Sequence, residues 1–135
     1  MRMREAVGVS RVLIAMGLVI LSVAVAGAQD FEFRVIAQGL SRPLGIAAEG
    51  SDILYFTQVP TPGVAGGQNG VFRLELATGA IETVHLGEPE PTNIALDREG
   101  TIYWTCKSAG VILAQTEDGT TSTLLTGLEF PSGIS

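Results

Sequence analysis

From residue 30 onward, apolar and polar positions alternate in short runs separated by turn-forming residues, and no stretch keeps a helical period over three turns. Residues 30–37, DFEFRVIA, set Phe31, Phe33 and Val35 against polar neighbours, the period-two pattern of a half-buried strand. Residues 44–48 form a short, mostly apolar run, which predicts a strand covered on both faces. Gly50-Ser51-Asp52 then supplies a tight turn into 53–58, ILYFTQ, aromatic and β-branched as strands prefer. An uncharged loop with two prolines and three glycines occupies 59–69. Strands are predicted at 70–76 and 80–86, on either side of Ala77-Thr78-Gly79. The same order returns at 92–97, 101–106, 110–116 and 120–125, with turns at Arg98-Glu99-Gly100 and Asp118-Gly119. The expected fold class is all-β.

The order returns because the sequence repeats. Shifted by 48 residues, 43–58 falls on 91–106 without a gap, Pro on Pro, Ile on Ile, Tyr on Tyr, Thr on Thr. Shifted by 40 residues, 70–95 falls on 110–135. On this alignment the long loop at 59–69, replaced by only Lys107-Ser108-Ala109 in the second unit, accounts for the difference between the two shifts. Self-similarity at a period of roughly 40 residues marks a repeat architecture in which each unit buries its apolar faces against its neighbours. Four antiparallel strands per unit is the composition of one β-propeller blade.

The expectation is therefore a partial propeller, with four-stranded blades at 43–86 and 91–125 and the start of a further blade at 127–135. Residues 30–37 fall on the last strand of a unit, so they are expected to act as a closing strand whose partner blade lies beyond Ser135. A closed ring needs at least about four blades. The chain is accordingly expected to be the front of a longer protein. The alternative is a short chain that closes its ring by assembly of about three copies.

The first 28 residues change the picture of where the protein works. Arg2, Arg4 and Arg11 precede an apolar run over 12–28 that ends in Ala26-Gly27-Ala28, the layout of a secretory signal peptide cut after Ala28. An uncleaved membrane anchor is the competing reading, the run lying at the short edge of what spans a bilayer. Three of the eight basic residues and one of the 14 acidic ones lie in this leader, so residues 29–135 carry five basic and 13 acidic side chains. An acidic domain with no basic cluster argues against nucleic acid and anionic membrane surfaces as partners. Cys106 is the only cysteine, so no internal disulfide can form.

Several motifs resemble those of the six-bladed, TolB-like β-propeller superfamily, which includes NHL repeat proteins, the YWTD repeats of lipoprotein receptors, gluconolactonase-like enzymes and streptogramin lyases. They are Pro91-x-x-Ile94-Ala95-Leu96-Asp97, Gly100-x-Ile102-Tyr103-Trp104-Thr105, Gly110-Val111-Ile112 and Asp118-Gly119. Tyr103-Trp104-Thr105-Cys106 is similar to a YWTD tetrapeptide with Cys in place of Asp, and Tyr55-Phe56-Thr57-Gln58 departs further. The resemblance implies that the first strand of each blade lines a central channel, with ligands met where that strand begins. It therefore makes Arg42, Thr92 and Asn93, with Pro43 beside them, the candidate ligand-binding residues, and places the 59–69 loop at the same end. In the gluconolactonase-like enzymes a Pro-Asn-Gly helps hold the metal. Here Thr92 stands at the Asn and Asn93 at the Gly, so no Ca²⁺ ligand set transfers.

Other chemistry is sparse. His85, the only histidine, is expected as a solvated residue near the end of an outer strand. Glu49, Asp97, Glu99 and Asp118 sit at turns, where carboxylates accept backbone N–H bonds. Calcium binding by carboxylates and carbonyls is the other reading of these residues. Tyr55, Phe56, Tyr103 and Trp104 are expected to pack between blades, and Cys106 to be a small buried residue, or a reactive thiol if Lys107 lowers its pKa. No phosphate loop, nucleophile elbow or paired cysteine motif is present. The function expected is an exported binding or scaffold module for an unidentified small molecule, peptide or glycan. The alternative is the N-terminal part of a secreted hydrolase or lyase whose catalytic residues lie in further blades. The two differ in what the first strands of those blades point into the channel: convergent carboxylates with an Asn for an enzyme, small and apolar residues for a binder.

Overall fold

Eight strands form where the alternation and turn residues place them. A computed structural model describes residues 32–135, in which β1 spans Pro43–Glu49, β2 Ile53–Gln58, β3 Gly70–Glu75, β4 Ile81–Leu86, β5 Pro91–Leu96, β6 Ile102–Cys106, β7 Val111–Gln115 and β8 Thr121–Leu125. They build two four-stranded antiparallel sheets in the orders β1-β2-β3-β4 and β5-β6-β7-β8. Among the described residues there is no helix. The expected leader, residues 1–28, lies outside the described residues, as do Asp30 and Phe31.

One correction concerns register. Gln58 pairs with Gly70 in the first sheet, whereas its 48-residue counterpart Cys106 pairs with Val111. The step from β3 to β7 is therefore 41 residues, and the gapless 40-residue match is one position out there. Between β4 and β8 the step returns to 40, with Thr83 opposite Phe72 and Thr123 opposite Leu113. The longer loop thus absorbs all but one of the extra residues of the first unit, and the β3–β4 turn absorbs the last. This matters because one residue of slip moves a side chain to the other face. Phe72 and Leu113, not Phe72 and Ile112, are the equivalent core residues.

Residues 32–37 pair with no described strand, and Phe33 and Val35 are 95% and 77% exposed. A strand needs a neighbour to satisfy its N–H and C=O groups, and the partner expected for this one was placed beyond Ser135.

Val35–Ser135 is one compact unit with two apolar clusters. Phe56, Phe72 and Leu74 pack with Ala37, Leu40 and Leu54 on one side of the first sheet. The phenyl rings of Phe56 and Phe72 stack at 5.5 Å. Val71 on the other side joins Ile94, Ile102, Trp104, Cys106 and Leu113 of the second sheet, with Ala47, Tyr55 and Val84 against them. Trp104 is completely buried there.

Both first strands carry a bulge at the same place, between Pro43 and Ile46 in β1 and between Pro91 and Ile94 in β5. A bulge takes backbone N–H groups out of the ladder. A threonine hydroxyl takes up each one: Gly45 N–H donates to Thr57 Oγ1 at 2.8 Å, and Asn93 N–H to Thr105 Oγ1 at 3.1 Å. Thr57 then reaches across to the next sheet, its hydroxyl donating to Thr92 O at 2.9 Å. At this crossing Gly45 comes so close to β5 that a Cβ there would lie 2.6 Å from Thr92 O and 2.8 Å from Asn93 Cα. Any larger residue would push the two first strands apart.

Candidate functional site at the first-strand ends

The long loop folds back onto the start of β1. Val59 N–H donates to Arg42 O at 3.3 Å, Arg42 Nη1 to Pro60 O at 3.5 Å, and Thr61 N–H to Ser41 Oγ at 2.9 Å. The Ser41 and Thr61 hydroxyls lie 3.1 Å apart, and Ser41 N–H donates to Gln58 Oε1 at 3.1 Å. Between the loop and the chain entering β1 is a polar-lined cavity of about 400 Å³, bordered by Ser41, Gln58, Thr61, Gly66 and Gly67. Loop and first-strand start thus share one end of the unit.

The three sequence-derived candidates are brought near one another unequally. Arg42 is exposed beside the loop, and among the described residues its side chain makes only the long hydrogen bond to Pro60 O. Thr92 is engaged within the protein: its hydroxyl lies 2.9 Å from Thr105 Oγ1 and 3.3 Å from Pro131 O. Asn93 is engaged too, accepting Ile94 N–H at 2.9 Å and donating to Ile134 O at 3.5 Å. These two side chains hold neighbouring segments together, which leaves Arg42 the least engaged of the three. Thr57 and Thr105 were missed as participants. Their signal was the coincidence of Thr on Thr at the 48-residue shift, two residues past the aligned Tyr55 and Tyr103, and nothing in that pattern reveals a bulge.

His85 is corrected. Although β4 is the edge strand of its sheet, His85 is half-buried, its ring 5.1 Å from that of Trp104 and tilted by 44°. Neither His85 Nε2 nor Trp104 Nε1 has a hydrogen-bond partner of ordinary geometry, although both are buried. Cys106 is fully buried and its thiol is pushed up to about 12, by burial first and then by the charge of Glu88, the indole of Trp104 pulling the other way. Lys107 does not activate it. Its ammonium sits 5.9 Å above the Phe130 ring instead. Cys106 is an inert packing residue.

The turn carboxylates serve backbones. Asp97 accepts Glu99 N–H at 3.0 Å, Thr101 N–H at 2.9 Å and the Tyr103 hydroxyl at 2.8 Å. Burial alone would raise its pKa, but these bonds outweigh it and hold the carboxyl below its ordinary value. Asp118 is likewise lowered, by the Thr116 hydroxyl and Thr120 N–H. Glu49 and Tyr55 repeat the Asp97 and Tyr103 pair, hydroxyl to carboxylate at 3.1 Å. Among the described residues no three His, Cys, Asp or Glu side chains converge as a metal site would require.

A group whose pKa is lower folded than unfolded stabilises the fold above its unfolded pKa, and that contribution is lost as the pH falls through the folded one. Asp97→Asn should therefore unfold at lower urea concentration than the wild type at pH 7, and the gap should close as both are acidified below the usual carboxylate range. An equal gap at both ends of that range would contradict the role given to Asp97.

No family model matches the chain, and no curated protein does. Among solved structures, selenomethionine-substituted virginiamycin B lyase from Staphylococcus aureus is similar, with a TM-score of 0.54 and 21% identity over 70% of this chain. With two four-stranded sheets stacked in sequence order and this likeness, the architecture is settled. The chain folds as part of a β-propeller. It spans 31% of the length of that lyase structure. The two sheets are consecutive propeller blades, β1 and β5 are their innermost strands, and the threonine bridge from Thr57 to Thr92 joins blade to blade near the axis.

Proposed function

We propose that the chain is a propeller-based binding module, exported by its leader, that meets a polar small molecule, peptide or glycan at the first-strand end of its blades. The observation that carries this reading is the pinned loop at 59–69 with its polar cavity of about 400 Å³, beside the exposed guanidinium of Arg42. Pockets that combine a rigid strand scaffold with loop-borne polar groups are the usual form of a ligand site. Thr92 and Asn93 contribute by fixing the first strands on which that end is built.

The test is amide chemical-shift mapping with mixtures of amino acids, sugars and dicarboxylates. Shifts are expected at Ser41, Thr61 and Gly66 and to weaken in Arg42→Ala. Shifts confined to other parts of the unit, or unchanged by that substitution, would refute the reading. The likeness to a lyase favours a second one, in which these blades belong to a propeller enzyme whose reacting groups sit on further blades. That reading predicts turnover of virginiamycin B by the complete ring, and binding without turnover by this chain.

A further inference from the structure

The repeat separates residues that every blade carries from residues that one blade carries alone. Glu49 and Tyr55 return as Asp97 and Tyr103, hydroxyl to carboxylate in both. Arg73 does not return. It pairs with Tyr55 on one side and Glu82 on the other, whereas the equivalent pair in the second sheet is Ala114 opposite Ser122. Register fixes that equivalence, Phe72 opposite Thr83 matching Leu113 opposite Thr123. A blade therefore folds with a small uncharged residue where the first one holds a guanidinium.

That guanidinium lines a cleft of about 550 Å³ between the two blades, at the end opposite the 59–69 loop. Both walls belong to this chain: Glu49, Tyr55 and Arg73 come from the first blade, Ile102, Gln115 and Glu117 from the second. Gln115 ties the walls together, its Nε2 lying 3.4 Å from Val84 O across the seam and 3.0 Å from Thr121 Oγ1. Val84 and Ile102 supply an apolar floor. The Arg73 side chain is only 29% exposed, yet among the described residues its one ion pair is the 3.4 Å contact of Nη1 with Glu82, itself 67% exposed. A long, solvated pair of that kind contributes little. The Tyr55 hydroxyl lies beside the guanidinium: burial first, then Glu49, raises its pKa, and Arg73 pulls the other way.

We propose that this cleft binds a small zwitterion, an amino acid or dipeptide with an apolar side chain. Its carboxylate takes the N–H donors of Arg73 that Glu82 does not use, in the two-bond fork by which a guanidinium holds a carboxylate. Its ammonium stays at the mouth, beside the exposed carboxylates of Glu49 and Glu117. Its side chain rests on Val84 and Ile102. A simple anion would meet two carboxylates there, and a simple cation would meet the guanidinium, so a ligand carrying both charges is the one matched on every side. The volume is that of ordinary small-molecule sites, which run from about 300 to 1,000 Å³. This site does not depend on the loop-end proposal, and its failure would leave that proposal standing.

Amide chemical-shift mapping of the full chain with leucine and leucyl-leucine tests it. Saturable shifts are expected at Gly100, Thr116 and Gly119, at the other end from the Ser41, Thr61 and Gly66 amides that report on the loop-end cavity. N-acetylleucine lacks the ammonium and leucinamide the carboxylate, and each should bind about tenfold or more weakly than leucine, as loss of a charged hydrogen-bond partner implies. Arg73→Ala installs the residue that the second blade carries at this place, so it should keep the spectrum of the fold and weaken leucine by a similar factor. The analogue comparison needs no variant. Zwitterions that leave Gly100, Thr116 and Gly119 unmoved, analogues with one charge that bind as well as leucine, or undiminished binding by folded Arg73→Ala would each overturn the proposal.

Discussion

Trp104→Ala is expected to cost about 3–5 kcal/mol, the range for removing a fully buried large aromatic side chain. A domain of this size has only about 5–15 kcal/mol of stability in total, so the variant should be largely unfolded or unfold at very low urea. The side chain is completely buried at the seam between blades, among Val71, Ile94 and Leu113, with the His85 ring tilted against it. No neighbour can collapse into the space without separating two sheets. Trp104→Phe keeps most of the apolar contact and removes an indole N–H that has no partner. It should cost roughly 1–2 kcal/mol. Urea unfolding followed by far-ultraviolet circular dichroism distinguishes these outcomes without using the tryptophan as its own reporter. An alanine variant within about half a kcal/mol of the wild type, well below the cavity range, would mean that the blades do not pack through this residue.

Strand positions were legible because turns and alternation specify them locally. Gly50-Ser51-Asp52, Ala77-Thr78-Gly79 and Asp118-Gly119 interrupt runs that cannot continue through them, and all eight strands lie between such breaks. Register was not legible in β7. Val111, Ile112, Leu113 and Ala114 are all apolar, so the pattern is satisfied by either choice of face, and only pairing with β6 selects one. The environment of His85 was invisible for a related reason. Its own strand reads as an outer edge, and what covers it is the ring of Trp104, contributed 19 positions later by another blade. The ligand-facing end was legible only as a place. Which of Arg42, Thr92 and Asn93 stays free depends on contacts with residues 60, 105, 131 and 134 that no local pattern encodes.

Thr57→Val is expected to destabilise by about 2–4 kcal/mol although it preserves shape, because it strips one buried and one partly buried backbone group of their partner at once. Gly45 N–H lost its ladder partner to the bulge and has only the Thr57 hydroxyl, which in turn donates to Thr92 O on the neighbouring blade. Each group left unsatisfied costs about 1–3 kcal/mol, whereas a hydrogen bond exchanged for one to water costs far less. Thr57→Ser retains both bonds and should lose only the methyl group's packing, about 1 kcal/mol or less. Amide exchange supplies the second measurement. Gly45 N–H should lose its protection in Thr57→Val while Tyr55 and Phe56, inside the β1–β2–β3 ladder, keep theirs. Equal stability of the Val and Ser variants would show that β1 and β5 are held together by apolar packing alone, with the hydroxyl a passenger at the bulge.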